Sequence, residues 1–494
     1  MTILTDTIAA AEGIAGSLPQ GLFIGGEWRQ AESGATLAVD DPATGRTVAE
    51  VADAGTADGL AALTAAVDAQ TSWAAVPPRE RGEILRRSFE IIMARRDDLA
   101  ALMTLEMGKP LAESQAEVAY AAEFFRWFAE EAVRIDGGYL VAPGGGSRVV
   151  TTRQPVGPSL LITPWNFPMA MGTRKIGPAL AAGCTVVVKP AKQTPLSMLA
   201  LAAILAEAGV PPGVVNVFTT SKSGSVTSAL IADPRLRKLS FTGSTEVGRA
   251  LIAQSAQNVL RTSMELGGNA PFVVFDDADV TLAVEGAVQA KMRNIGEACT
   301  AANRFYVQRG VAREFGEALA ERLGSLVIGH GLDPATQVGP LIDRNALTGV
   351  SELVDAATSA GARVLTGGEA VDGAGNFYRP TVLTGVPHGI RTVREEIFGP
   401  VAPIVAFDNE DEAIAMANDS EYGLAAYVFT EALERGLRVC ERIESGMVGL
   451  NQGIISNPAA PFGGVKHSGL GREGGFGGID EYLEVKYMSI RAPW

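Results

Sequence analysis

The stretch SLLITPWNFPMAMGTRKIGPALAAGCTVVVKP (159–190) holds two strand-prone runs, SLLIT (159–163) and TVVVKP (185–190), around a segment with apolar residues at helical spacing. That succession reads as a parallel βαβ unit. The series continues through VVNVFT (214–219), KLSFTG (238–243) and APFVVF (270–275). One intervening helix, 197–208, stops at the breaker Gly209-Val210-Pro211-Pro212. A doubly wound sheet follows. A second series, FYVQRG (305–310), ARVLTGG (362–368), VAPIVAF (401–407), AAYVFT (425–430) and GMVGLN (446–451), predicts a second α/β domain. Residues 79–132 read as helices packed on the first sheet. Segments 133–152 and 481–490 are short, β-prone and isolated, which predicts strands paired with each other or with another subunit.

At 494 residues the chain divides into two or three domains. Its 47 % hydrophobic and 20 % charged residues are globular composition, with disorder confined to the first twenty residues. Those twenty lack the features of a signal peptide, and no run reaches the roughly 18 apolar residues of a membrane span. The expectation is a cytoplasmic protein without a membrane partner. A net charge of −15 repels phosphate backbones, so nucleic acid is not an expected partner. Three Cys (184, 299, 440) and three His (330, 388, 467) form no C-x-x-C pair and no cluster, so neither a disulfide framework nor a metal site is expected.

Cysteine therefore matters as a reactive thiol. Cys299 lies in Arg293-Asn294-Ile295-Gly296-Glu297-Ala298-Cys299-Thr300, where small neighbours let backbone and substrate approach. Free cysteines are commonly inert core residues, and this loop alone leaves both readings open. MELGGNAP (264–271) shifts the balance: Glu265 closes an apolar stretch before two glycines, where a carboxyl can face a cleft instead of solvent. Pro164-Trp165-Asn166-Phe167-Pro168 follows the SLLIT strand, at the carboxyl end where open α/β sheets bind ligands; its other reading is a rigid turn. Phe241-Thr242-Gly243-Ser244-Thr245 also follows a strand and opens a helix, so Ser244 and nearby N–H groups can hold a phosphate. This glycine turn is not the G-x-G-x-x-G fingerprint, which counts against the standard dinucleotide fold but not against dinucleotide binding.

Taken in order, PWNFP (164–168), KPA-x-x-TP (189–195), FTGST-x-VG (241–248), MELGGN (264–269), G-x-x-C (296–299), EEIFGPV (395–401) and PFGG-x-K (461–466) resemble the aldehyde dehydrogenase superfamily along nearly the whole chain. The resemblance implies an α/β fold of two doubly wound, Rossmann-like domains with a small β oligomerisation domain. Residues 20–132 and 153–264 would bind the cofactor, 265–463 form the catalytic domain, and 133–152 with 479–494 supply strands that build a homodimer or homotetramer. It further implies that Cys299 forms a thiohemiacetal and then a thioester. Asn166 and the Cys299 N–H would hold the oxyanion, and Glu265 would activate the hydrolytic water. A thiolate is nucleophilic without a metal, amide donors stabilise charge that appears only in the tetrahedral species, and a partly dry carboxylate becomes a stronger base. Lys175 and Glu473, in TRK and GRE, resemble the family's proton-relay residues, with a structural ion pair or solvated charges as the equal alternative.

For the cofactor, NADP or NAD, the resemblance assigns Lys189 to the adenosine ribose, Ser244 to the pyrophosphate, Glu396 to the nicotinamide ribose and Phe398 to the nicotinamide face. Thr163, Pro164, Trp165, Ala191, Gly243 and Leu266 complete that site. Lys192 stands where NAD-preferring members commonly carry Glu, which points to NADP. Glu297 stands where Gln is usual, which bears on the thiol's electrostatics. Longer matches, AMGTRK-x-GPALAAGCTVVVKP (170–190), GIIS (453–456), PFGGVKHSGLGREGG (461–475) and GIDEYLEVKYM (478–488), are most similar to succinate-semialdehyde dehydrogenases. There two arginines and a serine bind a distal carboxylate, at positions matching Arg174, Arg293 and Ser456. Gln452, where Glu is usual, and Pro458-Ala459-Ala460 depart from that group and leave chain length open. Dehydrogenases for glutarate semialdehyde or an aromatic aldehyde share the chemistry; a catalytically silent protein fits poorly with Cys299, Glu265 and Asn166 all retained.

Overall fold

Strands that are apolar along their whole length need cover on both faces. The two principal sheets of the computed structural model, which describes residues 2–492, have it. In the first sheet the chain starts at the central strand Ser159–Ile162 and steps outward through Val186–Lys189 to Val215–Val217. It then returns to the other side with Lys238–Thr242 and Arg261–Glu265, all five strands parallel. Antiparallel strands close both edges: the hairpin of Leu22–Ile24 and Glu27–Arg29 on one side, Gly469–Leu470 on the other. The direction of winding reverses between Ser159–Ile162 and Lys238–Thr242, which opens a crevice beyond their carboxyl ends. The PWNFP turn and the Gly243-Ser244 turn both emerge there.

The second sheet runs in the order Arg363–Thr366, Thr381–Thr384, Val401–Phe407, Ala302–Gln308, Ala270–Val274, Ala425–Phe429, Met447–Leu450, parallel except at its first pair. APFVVF thus belongs to this sheet and not to the series that the sequence put it in. The chain leaves the first sheet at Glu265, and the next strand pairs with Ala302–Gln308 and Ala425–Phe429. Apolar periodicity identifies a buried strand but not its partner.

Helix Ala170–Ala182, buried along its whole length, follows the PWNFP turn and stops at Gly183, whose φ of 92° favours glycine. Helices Pro78–Ala94 and Leu111–Glu131 pack on it. At Gly177 a Cβ would stand 3.2 Å from the Phe128 ring and 3.3 Å from that of Phe125. The amino end is ordered rather than disordered: Thr2–Ser17 is a helix with Leu4, Ile8, Ala11 and Ala15 on the face turned to the core. Strands Gly138–Val141, Ser147–Pro155 and Leu483–Arg491 form a separate three-stranded antiparallel sheet that joins two distant segments of the chain. Pro493 and Trp494, assigned by the sequence to the oligomerisation segment, lie outside the described residues. Among the described residues no helix is long and apolar enough to cross a membrane, and no His, Cys, Asp or Glu cluster could hold a metal ion.

Candidate active site

Glu265 ends a strand of the first sheet and Ala270 begins one of the second, so the carboxyl edge of one sheet abuts the amino edge of the other. Two glycines make the crossing. A Cβ on Gly268 would lie 2.3 Å from the Cys299 carbonyl oxygen, and one on Gly267 would lie 2.8 Å from Glu396 Oε2. Between the edges is a cavity of 280 Å³. Of the residues singled out in the sequence, Asn166, Glu265, Cys299, Arg174, Arg293, Ser456, Pro164, Trp165, Gly243, Ser244, Leu266, Glu396 and Phe398 line it. Lys175 and Glu473 stand behind its wall, joined to Arg174. Thr163, Lys189, Ala191 and Lys192 are not part of its lining and belong to the strand ends Ser159–Ile162 and Val186–Lys189.

The Cys299 loop holds an uncommon backbone. Asn294, Ile295 and Gly296 take φ of 52°, 62° and 80° in succession, left-handed values that cost a β-branched residue most. Asn294 Nδ2 donates to Asn166 O and to Glu297 O, both at 2.9 Å. Asn166 Nδ2 also donates to Glu297 O at 2.9 Å. The two turns, one from each sheet, are therefore tied together at the candidate oxyanion donors. An amide nitrogen carries two hydrogens, so Asn166 keeps one for a ligand.

The Cys299 side chain is half-buried and faces the cavity. Burial pushes its thiol up to about 12, against the opposing pull of Arg174. Glu265 is buried, its Oε2 has no hydrogen-bond partner, and burial followed by repulsion from Glu473 raises its carboxyl well above the ordinary value. Burial would raise Glu473 too, but Lys175 and Arg174 outweigh it and hold this carboxyl low. Glu473 pairs with Arg174 Nε at 2.5 Å and with Lys175 Nζ, which also donates to Ser240 Oγ at 2.9 Å. The ion pair foreseen for Lys175 and Glu473 forms, and it includes Arg174 as a third member. The Arg174 guanidinium lies 4.0 Å from the Phe462 ring centroid, and Arg293 donates to Ser456 Oγ at 2.9 Å and lies 4.8 Å from the Phe167 centroid. Arg293 and Ser456 thus form one polar unit in an otherwise aromatic wall.

Glu297 is turned away from the thiol. Its Oε1 accepts from Ile342 N at 3.1 Å, its Oε2 has no partner, and burial raises the carboxyl well above its usual value. Only its carbonyl faces the site, so Glu in place of Gln changes the support of the loop and not the charge beside Cys299.

At the crevice end, Ser244 is exposed at the start of helix Thr245–Ser255 and accepts from Val247 N at 3.4 Å. Thr163 Oγ1 and Thr242 Oγ1 are buried without partners. Glu396 Oε1 accepts from Gly268 N at 3.1 Å, and burial pushes this carboxyl to about 7. Phe398 stands edge-on to Trp165 with centroids 5.4 Å apart. Lys189 Nζ donates to Ser223 Oγ at 3.1 Å and is brought down to about 8 by burial, while Lys192 is exposed. A helix start for a phosphate, unpartnered hydroxyls and a carboxylate for ribose, and two aromatic plates fit a nicotinamide dinucleotide.

Sequence reasoning missed Tyr120, Phe167, Met171 and Phe462, which share the apolar lining with Pro164, Trp165, Leu266 and Phe398. Phe167 lies next to Asn166, and Met171 lies three residues before Arg174 on the same helix, so both adjoin residues that were singled out. Tyr120 carries no local signal, since it reaches the cavity by packing of helix Leu111–Glu131.

A thiol, an amide donor and a raised carboxyl around one cavity, open to a dinucleotide crevice, can perform oxidative acyl chemistry. Residues 28–488 match the sequence profile of the aldehyde dehydrogenase family. A succinate-semialdehyde dehydrogenase of Paenarthrobacter nicotinovorans is 59 % identical over 447 residues, 90 % of this chain and 99 % of that protein. A glutarate-semialdehyde dehydrogenase of Pseudomonas putida is 51 % identical over 95 % of this chain and 98 % of that one. The crystal structure described as an E. coli NADP dependent enzyme superposes with a TM-score of 0.95 at 51 % identity, covering 96 % of this chain and 98 % of that one. The chain belongs to the aldehyde dehydrogenase family and is an NAD(P)-dependent oxidoreductase.

Glu297 gives a pH-dependent prediction. In the unfolded chain its carboxyl ionises near its ordinary value of 4.5, whereas burial keeps it protonated well above that in the folded protein. Folding is thus increasingly penalised as pH rises from the unfolded toward the folded value, by at most about 1.4 kcal/mol per pH unit. Glu297→Gln removes the titration. The variant should match wild type near pH 4.5 and be the more stable by pH 8, with denaturant midpoints measured in parallel; a constant difference across this range would contradict the assignment.

Proposed function

We propose that the protein oxidises succinate semialdehyde to succinate with NADP as the preferred cofactor, the acyl group being carried on Cys299. The observation that carries this reading is that one cavity unites a reacting set, Cys299, Asn166 and Glu265, with an anion-binding set, Arg174, Arg293 and Ser456. Aldehyde, water and NADP+ give carboxylate, NADPH and two protons. Cys299 Sγ adds to the aldehyde carbon, and the carbonyl electron pair moves to oxygen, where the free hydrogen of Asn166 Nδ2 and the Cys299 N–H receive it. Burial raises the thiol, so its proton passes to the Glu265 carboxylate across the same cavity as sulfur attacks, and the Arg174 charge favours the anionic character that develops on sulfur. The bound nicotinamide supplies the hydride acceptor. The thioester left on Cys299 is hydrolysed by a water whose proton Glu265 accepts, its raised pKa making it a stronger base. Glu473 holds both Arg174 and Lys175, and the three give that proton a charged route away from Glu265.

In this reading residues 20–132 and 153–264 form the cofactor domain and 265–463 the catalytic domain, while 133–152 with 479–494 join subunits into a homodimer or homotetramer. Exposed Tyr139, Val485 and Tyr487 on the three-stranded sheet, at 69 %, 68 % and 58 %, support a second copy as its cover. Three free thiols suit a reducing compartment, and we place the enzyme in the cytoplasm. The similarity to a glutarate-semialdehyde dehydrogenase favours a second reading with a substrate one methylene longer, a difference of only about 0.8 kcal/mol in an apolar contact.

Arg293 gives the cleaner test of the anion site, because Arg174 also compensates buried Glu473. Arg293→Leu should lower kcat/KM for succinate semialdehyde by about one to two decades, the worth of a charge-assisted contact, and for butanal by much less. Equal losses with both aldehydes would remove the anion-binding role.

Lys192 tests cofactor choice. Exposed beside the Val186–Lys189 strand end, its ammonium and that of Lys189 favour a 2′-phosphate, and a screened surface charge is worth about 1 kcal/mol or less. Wild type should prefer NADP, and Lys192→Glu should shift the kcat/KM ratio several-fold toward NAD, less at high salt. Preference for NAD in wild type, or an unchanged ratio, would sink the assignment.

A further inference from the structure

The turn that carries Asn166 and the loop that carries Cys299 are held from behind by one charged surface. Lys109 lies between Gly108 and Pro110, in the break between helices Arg96–Met107 and Leu111–Glu131, and Glu113 and Glu117 follow four residues apart on the second helix. Lys109 Nζ donates to Asn166 O at 2.7 Å, stands 4.2 Å from the Phe167 ring centroid and pairs with Glu117, both side chains being 1 % exposed. Glu117 Oε1 accepts from Met169 N at 3.1 Å and Ala170 N at 3.2 Å, so this pair grips the turn at its centre and where the next helix begins. Glu113 Oε2 accepts from Asn294 N at 2.6 Å, which fixes the loop that is bonded in turn to Asn166 O.

Packing does not do this instead. Behind the turn lies a second cavity of 380 Å³, whose lining includes Lys109, Glu113, Glu117, Phe167 and Arg293. A buried ion pair is a costly way to fill an interior, and a well-packed apolar pair would serve stability at least as well. What the charges supply is a fixed position for the Asn166 carbonyl, and through the rigid peptide a fixed aim for its side-chain amide.

We propose that Lys109, held by Glu117, is the positioning residue of the oxyanion site and acts on the reaction only through Asn166. This rests on the oxyanion role given to Asn166 above. The test compares the single-turnover rate of NADPH formation in wild type, Lys109→Met with Glu117→Gln, Asn166→Ala, and the three changes together. Replacing both charges avoids leaving one unpaired, and Gln still offers its carbonyl to Met169 and Ala170. Removing one oxyanion donor costs about 100- to 1000-fold, so Asn166→Ala should fall in that range and the charge-pair variant about 10- to 100-fold. Added to Asn166→Ala, the charge-pair changes should cost less than about 3-fold more, because residues acting as a unit are not additive. Alkylation of Cys299 by iodoacetamide, which builds no oxyanion, should stay within about 3-fold in every variant, whereas a collapsed site would slow it in parallel.

A charge-pair variant within about 3-fold of wild type, a full further loss in the Asn166→Ala background, or a matching fall in alkylation overturns the proposal. If Asn166→Ala itself is nearly as fast as wild type, the oxyanion reading fails first and the positioning role with it. Should the double variant not fold, Glu117→Gln alone decides: a loss of about 3- to 10-fold that vanishes in the Asn166→Ala background supports the role, and an additive loss overturns it.

Discussion

Only four residues, Leu266 to Asn269, separate the strand that ends at Glu265 from the one that begins at Ala270 in the other sheet. Fully extended they span about 14 Å, so the carboxyl edge of the first sheet cannot be far from the amino edge of the second. Everything that makes the site follows from this short tether. It brings the switch-point crevice, where an open α/β sheet receives a dinucleotide, against the loop that leads into Ala302–Gln308 and carries Cys299. Glycine is needed at 267 and 268 because the Cys299 backbone and the Glu396 carboxyl occupy the space that side chains would fill.

The tether also forces charges together in a poorly hydrated space. Four ionisable groups, Glu265, Glu473, Lys175 and Arg174, are buried, and their mutual fields divide their roles. Glu473 has two cations and remains ionised; Glu265 shares them at a distance, meets the Glu473 charge and is raised. A carboxyl so raised is a stronger base than an ordinary surface carboxylate. Arg174 belongs both to this cluster and to the cavity wall, so in the proposed mechanism recognition of an anionic substrate would be linked to the electrostatics of Glu265.

The sequence was most informative where function is written in short loops. PWNFP, MELGGN and the Cys299 loop are contiguous, their glycines and prolines report local backbone demands, and the cavity gathers Asn166, Glu265 and Cys299 from them. It was least informative where meaning lies in long-range contact. APFVVF is a buried strand by composition, yet its place in the second sheet depends on pairing with Ala302–Gln308 and Ala425–Phe429, which composition does not encode. Lys175 and Glu473 meet across 298 positions, Lys109 reaches Asn166 across 57, and Tyr120 enters the cavity from a helix noticed only as core. The residue type at 297 was visible, but its direction, toward Ile342 N and away from the thiol, was not. The amino-terminal helix was misread because alanine at core positions resembles low-information sequence until its partner surface is known.

The proposed mechanism divides the labour between Cys299, which would carry the acyl group, and Glu265, which would hydrolyse it off. The most direct measurement is peptide mass spectrometry of Glu265→Gln quenched after mixing with succinate semialdehyde and NADP, alongside its NADPH trace. The predicted result is about one NADPH per site, an acyl adduct on the peptide bearing Cys299, and steady-state turnover reduced by roughly two to four decades, the usual contribution of a positioned base. Continued turnover at the wild-type rate with Cys299 unmodified would contradict it.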